Sequence, residues 1–394
     1  MKLHVKKFGI PESQGMAVLN LNRLPSPTVM AGELGGVAHG QYWIEDTGKN
    51  MTATATNKPP YRVPLMSEIQ QIPWNGYKVA STFSGTGGSC LGYRMAGFRV
   101  VWANEFIANA QQCYKLNHPD SILDTRDIRT VQADEILSAT GLKRGELDLF
   151  DGSPPCDSFS TAGKRDKGWG KSKAYMGGER HQRTDDLTWE WLRILEGLQP
   201  KTFVMENVSG LVKGRAKGMF KLILKDARAA GYRVKCRLLD AQWLGVPQAR
   251  QRTIFVGVRE DLRAEPVHPS PLLYRYSVRD ALPDVAAIIS GDERHSKKPG
   301  SGWSRGKRLD LTRPCLTVSG NTGINGTPAT AESVNDNTRR KLTIAELRRI
   351  CSFPDDFQFV GPYAKQWERM GMSVPPVMMS HVAKTVHDQI LKDS

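Results

Sequence analysis

The stretch Gly152-Ser153-Pro154-Pro155-Cys156-Asp157-Ser158-Phe159-Ser160 sets a thiol directly after two prolines, at the end of the apolar run Leu147-Asp148-Leu149-Phe150. Proline has a fixed φ and no N–H, so Pro-Pro makes a stiff exit from a strand. A cysteine mounted there is held still at the strand's carboxyl end, where open α/β sheets carry their active sites. The active form of such a thiol is the thiolate, a nucleophile. The tripeptide alone also suits a turn with an inert cysteine, so the rest of the chain has to decide. Further on, Met205-Glu206-Asn207-Val208 puts a carboxylate at another strand end. Burial there is expensive unless the group is paired or functional. Gln248-Ala249-Arg250-Gln251-Arg252 then enters an apolar strand at 253–258. Strand alternation sets Gln248, Arg250 and Arg252 on one side. Three polar groups facing one way suit orienting a carboxylate and binding a phosphate. The plain alternative is a solvent-exposed strand face.

A second constellation suits a nucleotide. Phe83-Ser84-Gly85-Thr86-Gly87-Gly88 follows an apolar run and opens a helix. Glycines there let the backbone turn tightly and approach a ligand closely. The next strand ends in Asn104-Glu105-Phe106, with an acidic residue where such folds grip ribose hydroxyls. Phe106 suits stacking on a purine, and Asp127-Ile128, at a third strand end, suits an adenine amino group. The spacing fits an adenosine-containing cofactor. It lacks the G-x-G-x-x-G form, which disfavours a dinucleotide.

The elements that must position these groups alternate. Strands are predicted at 77–83, 99–103, 147–150, 202–205 and 253–258, with helices from the glycine turn through Met95, at 107–116 and at 216–230. The last helix has Met219, Phe220, Ile223, Leu224 and Ala227 on one face and Lys217, Lys221, Lys225 and Arg228 on the other. Such alternation predicts an α/β fold with a mostly parallel sheet covered on both faces. Four regions follow: an extension without a clear core at 1–75, the α/β domain at 76–260, a smaller irregular domain at 261–362, and a helical tail at 363–394 that packs back on the first domain. Pro, Gly, Ser and Arg dominate the third region, where periodicity is weak.

Lys and Arg number 55 against 40 Asp and Glu, a formal charge of +15. That balance suits a polyanionic partner, nucleic acid first. The charge is dense at 164–183 and 294–313, with Gly and Trp interleaved, as in loops that track phosphates. The six cysteines are scattered, with no C-x-x-C pair, so neither a metal site nor a disulfide framework is expected and a reducing cytoplasm fits. No apolar run approaches a membrane span, and the basic N-terminus has no apolar segment after it to make a secretory signal.

In order, Phe-x-Gly-x-Gly-Gly, Pro-Cys-x-x-Phe-Ser, Glu-Asn-Val and Gln-x-Arg-x-Arg resemble the DNA (cytosine-5) methyltransferase family of prokaryotic or phage type. The resemblance covers 77–258. It resumes at Arg313-Pro314 with Thr317-Val318, at 342–355 and at Gly371-Met372-Ser373-Val374-Pro375-Pro376. It implies a Rossmann-like, S-adenosylmethionine-dependent methyltransferase domain with a smaller target-recognition domain. It also implies methyl transfer to carbon 5 of a flipped-out cytosine in a specific duplex DNA sequence. Cys156 would be the nucleophile that adds to ring carbon 6, and Glu206 would hydrogen-bond or protonate ring nitrogen 3. Arg250 would orient the base, supported by Gln248 or Arg252. Phe83, Gly85 and Gly87 would line the cofactor site, Glu105 hold the ribose, and Phe106, Asp127 and Ile128 surround the adenine, with Pro155, Leu187, Ser373 and Val374 completing the pocket. The family's usual asparagine is Met372 here, which removes a hydrogen-bonding side chain beside Ser373. The resemblance further implies a monomer in a bacterial cell or phage-infected host, with a cognate restriction endonuclease as a candidate partner. Target choice would lie in about 285–310 and 321–337. Two other readings stay open: a tRNA cytosine-5 methyltransferase of similar architecture, and a catalytically silent DNA-binding protein on the same scaffold.

The resemblance does not extend to residues 1–75 in the usual order. There, Arg62-Val63-Pro64-Leu65-Met66-Ser67-Glu68-Ile69-Gln70-Gln71-Ile72 matches the pattern of 340–350 without gaps, with Glu68 and Glu346 in register. Arg23-Leu24-Pro25-Ser26-Pro27-Thr28-Val29 likewise resembles 313–318. A displaced or duplicated piece of recognition scaffold would make 20–75 pack near the third region or the DNA cleft. Chance similarity between two amphipathic helices is the competing explanation.

Overall fold

The apolar runs that alternate with helices pair as one twisted sheet. The computed structural model describes residues 58–155, 186–212, 217–290, 307–320 and 339–392, with short strands at 2–4, 6–7, 18–20, 29–30, 42–43, 173–174, 181–182 and 328–333. Seven strands form the sheet: β1 (Lys78–Thr82), β2 (Arg99–Asn104), β3 (Ile122–Asp124), β4 (Leu149–Gly152), β5 (Thr202–Val208), β6 (Tyr232–Asp240) and β7 (Gln251–Arg259). Their order is β3-β2-β1-β4-β5-β7-β6, and the two-residue strand Val29–Met30 extends the β6 edge. Neighbours from β3 to β5 are parallel, while β7 runs antiparallel to both β5 and β6. The chain leaves β1 toward β2 and later re-enters on its other side as β4. That switch opens a crevice at the carboxyl ends of β1 and β4.

Helices cover both faces. On one side α4 (Ala133–Thr140), α5 (Leu187–Leu198) and α6 (Lys217–Ala229) enclose Phe150, Phe203, Met205 and Phe255. On the other, α2 (Gly88–Met95), α3 (Ala108–Asn117) and α10 (Pro376–Val386) enclose Val79, Leu149, Val204 and Ile254. The helical tail thus packs back on the sheet. Gly92 sets the spacing between α2 and α10, because an added Cβ would sit 2.6 Å from the Met379 Cβ. β4 begins two residues later than the predicted strand. Asp148 is taken up before it, accepting from the Lys78 N–H and pairing with Lys201. β5 is longer than predicted and takes Glu206 and Asn207 into the sheet.

The region at 261–362 is more regular than its composition suggests. β8 (Val285–Ser290) pairs antiparallel with β9 (Lys307–Arg308) and β10 (Pro328–Ser333), and β10 pairs with β11 (Arg339–Lys341). The expectation of an irregular region is corrected by this four-stranded sheet. Two register shifts along β8 break the period-2 pattern that would have revealed it. A third core joins this sheet to α7 (Val278–Ala281), α8 (Ile344–Ile350), α9 (Tyr363–Met372) and α1 (Met66–Gln70). Among the described residues, no helix is long and apolar enough to cross a membrane.

Helix α1 gives physical content to the echo between 62–72 and 340–350. In α8, the Thr343 N–H donates to Glu346 at 2.7 Å, and Arg340 pairs with Glu346 at 2.6 Å. In α1, the Leu65 N–H donates to Glu68 at 2.8 Å, and Arg62 pairs with Glu68. The copies differ at the cap. Thr343 Oγ1 accepts from the Glu346 N–H, a bond Leu65 has no hydroxyl to make. Instead Asp356 accepts from the Met66 N–H at 2.9 Å. Tyr61 donates to the Arg349 carbonyl at 2.6 Å, and Lys58 pairs with Asp280 at 2.5 Å. Residues 58–72 therefore dock on the third core, whereas Val29–Met30 reaches the far edge of the main sheet. Ile69 is 2% exposed within that core. Ile69→Ala should lower unfolding free energy by about 2–4 kcal/mol in urea titration; no change would mean that α1 is an appendage.

Candidate active site

A cavity of about 370 Å³ opens at the carboxyl ends of β1 and β4. Its nucleotide side begins with the turn after β1. Phe83 has φ +53° and Gly87 φ +91°, and an added Cβ at Gly87 would lie 2.1 Å from His118 Nε2. Glycine is required there by both conformation and space. Glu105, 7% exposed, accepts from the Gly85 N–H and the Ile107 N–H, each at 2.7 Å. Burial raises its pKa, and those backbone bonds together with the Arg369 charge oppose the rise. Phe83, Gly85, Phe106, Ile128, Pro155, Leu187, Ser373 and Val374 line the cavity. Thr86 and Ser373 share a hydrogen bond of 3.0 Å that joins the glycine turn to the end of α9.

Two of the residues proposed for the cofactor, Gly87 and Asp127, are not among those that line the cavity. Gly87 faces His118. Asp127 accepts from the Arg129 N–H and pairs with the Arg129 guanidinium, which also pairs with Asp186. Asp127 thereby braces Ile128 against the start of α5, where Leu187 lies.

The other side of the cavity holds Glu206, Asn207, Arg250 and Arg252. Glu206 is 7% exposed, and its Oε1 lies 2.7 Å from Arg252 Nε. Arg250 is 2% exposed and donates to the carbonyls of Val318 and Gly371, both at 2.8 Å. Burial first, then the Arg252 charge, lowers its pKa to about 9. Gln248 is buried outside the cavity. It donates to the Ile350 carbonyl and accepts from the Val318 N–H at 3.1 Å. Gln248 and Arg250 are therefore buried and Arg252 is half-buried against Glu206, so the three do not form a solvent-exposed face, and they divide their work. Arg252 holds the carboxylate, while Arg250 and Gln248 fix the wall around Val318. Cys156 lies outside the described residues. Asn207 donates to the Pro154 carbonyl at 3.2 Å, which anchors the Pro-Pro segment leading to that cysteine. Met372 lines the cavity and is 37% exposed.

Sequence reasoning missed Asp151, which also lines the cavity. It accepts from Ser81 Oγ at 2.8 Å and Tyr93 Oη at 2.9 Å. Burial raises its pKa to about 7, with the charge of Glu206 adding to the rise. Only its place beside Pro-Pro-Cys pointed to it, and an acidic residue in a strand reads first as an edge group. Arg369 was missed as well; it lines the cavity beside its partner Glu368.

The sequence matches the family described as C-5 cytosine-specific DNA methylase over residues 77–388. It is 29% identical over 329 residues to the type II methyltransferase M1.HphI of Haemophilus parahaemolyticus, spanning 77% of this chain and 85% of that one. It is 28% identical over 367 residues to the type II methyltransferase M.Sau96I of Staphylococcus aureus, spanning 84% and 80%. Among solved structures it resembles DNMT2 of Spodoptera frugiperda, with a TM-score of 0.59 and 17% identity over 79% of this chain and all of that one. At that identity the likeness concerns the fold.

The raised pKa of Asp151 has a signed consequence for stability. Between the unfolded carboxylate value near 3.8 and the folded value of about 7, the native state keeps a proton that the unfolded chain has lost. Its contribution to unfolding free energy therefore falls as pH rises through that window, by up to about 4 kcal/mol. Asp151→Asn should flatten this part of the pH–stability curve; an unchanged slope would show that Asp151 titrates normally.

Proposed function

The chain belongs to the C-5 cytosine-specific DNA methylase family and is a DNA (cytosine-5-)-methyltransferase, and from that premise we propose how its residues carry the reaction. S-Adenosylmethionine, when bound, supplies an electrophilic methyl group for carbon 5 of the target cytosine. The residues fit such a group. The cavity volume of about 370 Å³ lies in the range of small-molecule sites. Glu105 keeps lone pairs for a ribose beyond its two backbone bonds. Phe83, Phe106, Ile128, Leu187 and Val374 offer apolar walls for the adenine.

On the base side, the thiolate of Cys156 adds to carbon 6, forming the S–C6 bond and pushing the ring electrons toward carbon 5. Glu206 hydrogen-bonds or protonates nitrogen 3, offsetting the charge that develops as the sulfur adds. Arg252 orients Glu206, Arg250 frames the pocket, and Asn207 steadies the Pro154–Pro155 approach to Cys156. Once carbon 5 carries its new methyl group, it loses its proton to a base such as water. The C5–H electrons form the C5=C6 bond, and the S–C6 electrons leave with sulfur as the thiolate. None of this is possible for a base stacked in a duplex, so the target is flipped out. The basic, glycine-rich 161–183 supplies contacts to backbone phosphates, and 285–310 with 321–337 read the flanking duplex. The enzyme works as a monomer on double-stranded DNA in a bacterial or phage-infected cytoplasm, and a cognate restriction endonuclease is its proposed partner.

The observation that carries this reading is the Glu206–Arg252 pair standing in one cavity with Glu105, while Asn207 holds the backbone two residues before Cys156. Wild type should form a covalent complex with duplex DNA carrying 5-fluorocytosine, because fluorine cannot leave as a cation. Cys156→Ser should bind DNA without trapping it, and tRNA should not be methylated. Substantial turnover by the serine variant would sink the mechanism. Glu206→Gln should slow methyl transfer by about 10²-fold or more with little change in cofactor affinity. An equal loss of both would assign Glu206 to the cofactor site.

A further inference from the structure

Three carboxylates, Glu105, Asp151 and Glu206, stand in the cavity wall, and the chemistry above uses the first and the last. Asp151 lies between them. In the sheet order, β4 sits beside β5, which carries Glu206, and on its other side come β1 and then β2, which leads into Glu105. Asp151 is in register with Ser81 on β1 and Val204 on β5. Glu206 follows Val204 by two residues, so it shares the face of the sheet that Asp151 occupies. The carboxyl group of Asp151 is 1% exposed as a residue, and its side-chain hydrogen-bond donors, Ser81 and Tyr93, are neutral hydroxyls.

We propose that Asp151 is the anionic contact for the positively charged sulfur of the methyl donor, and that it makes the cavity prefer the charged donor to the neutral product. This rests on the reading of the donor as S-adenosylmethionine. A donor whose ribose is held at Glu105, and whose methyl group must reach a base held at Glu206, has to pass its sulfur over the strand between them. Asp151 is the ionisable side chain at that point. Methyl transfer turns the sulfonium into a neutral thioether, and the attraction disappears with the charge. The contact therefore favours donor binding and product release, and it does not speed the chemical step, in which the positive charge is already fading.

The surroundings of Asp151 suit a group that changes state when a cation arrives. Burial pushes its pKa to about 7, so near neutrality it is poised between acid and carboxylate. A positive charge beside it favours the carboxylate. Cys90 and Tyr93 face it from α2, and Glu206 faces it from β5 with Arg252 behind from β7. Burial holds Cys90 up at about 12 and Tyr93 well above its usual value, so neither titrates near neutrality. Donor binding should release a proton from Asp151, and product binding should not.

The test is calorimetric affinity for S-adenosylmethionine and S-adenosylhomocysteine, with the full-length protein and with Asp151→Asn. Both ligands carry the same amino-acid end, so their ratio isolates the charge at sulfur. The variant should bind the donor about tenfold more weakly or worse and bind the product almost unchanged. A parallel loss of both affinities, or no loss of either, would overturn the proposal. If wild type bound neither ligand, the reading of the donor would fail instead. Should the variant not fold, wild type still answers. From about pH 6 to 8, donor affinity should rise with pH and donor binding should release protons, while product affinity stays flat. Identical pH dependence for the two ligands would contradict the assignment.

Discussion

A carboxylate removed from water needs a fixed cation beside it, and here that requirement is met by reversing one strand. Glu206 lies near the carboxyl end of β5, where parallel neighbours put only other carboxyl ends. β7 runs the opposite way between β5 and β6, so its first residues arrive beside the last residues of β5. Val208 is opposite Arg252 and Glu206 is opposite Ile254, which makes Glu206 and Arg252 diagonal neighbours within reach of a long side chain. Their contact at 2.7 Å follows from that register. A fully parallel sheet would carry the Gln-x-Arg-x-Arg segment to the opposite edge.

The same reversal joins the sheet to the rest of the molecule. Arg250, one residue before β7, reaches the carbonyls of Val318 and Gly371, and Gln248 reaches Val318 and Ile350. Breaking one partner of such buried polar contacts leaves a charge or a donor without compensation. The segment around Val318, the end of α8, the end of α9 and the edge of the cavity thus share one set of buried arginine and glutamine contacts. Residues 58–72 add a second fastening from outside, through Lys58, Tyr61 and Met66.

Much of this was legible in the sequence. The alternation of apolar runs and amphipathic helices gave the sheet and its layers, because burial on both faces leaves a strong periodic signal. Glycine turn, Glu105 and Glu206 were legible because their residue types are expensive anywhere but at a strand end that uses them. The division of labour among Gln248, Arg250 and Arg252 was not. Alternation places all three on one side, but only the neighbouring segments decide which reaches a carboxylate and which reaches a carbonyl. Asp127 and Gly87 were read as ligand contacts from their positions; in the structure Asp127 pairs with Arg129, and Gly87 packs against His118. Asp151 escaped because nothing in its local sequence announces burial. The small sheet was hidden by its short, bulged strands.

The Glu206–Arg252 cavity is proposed to direct methylation to carbon 5 of cytosine in DNA. The most direct measurement is mass spectrometry of nucleosides from duplex DNA methylated by the purified enzyme with isotopically labelled S-adenosylmethionine. The label should appear in 5-methyl-2′-deoxycytidine. Label confined to N4-methylcytosine or N6-methyladenine would place the chemistry on an exocyclic amine, which needs neither an attacking thiolate nor an acid at nitrogen 3, and would contradict the account.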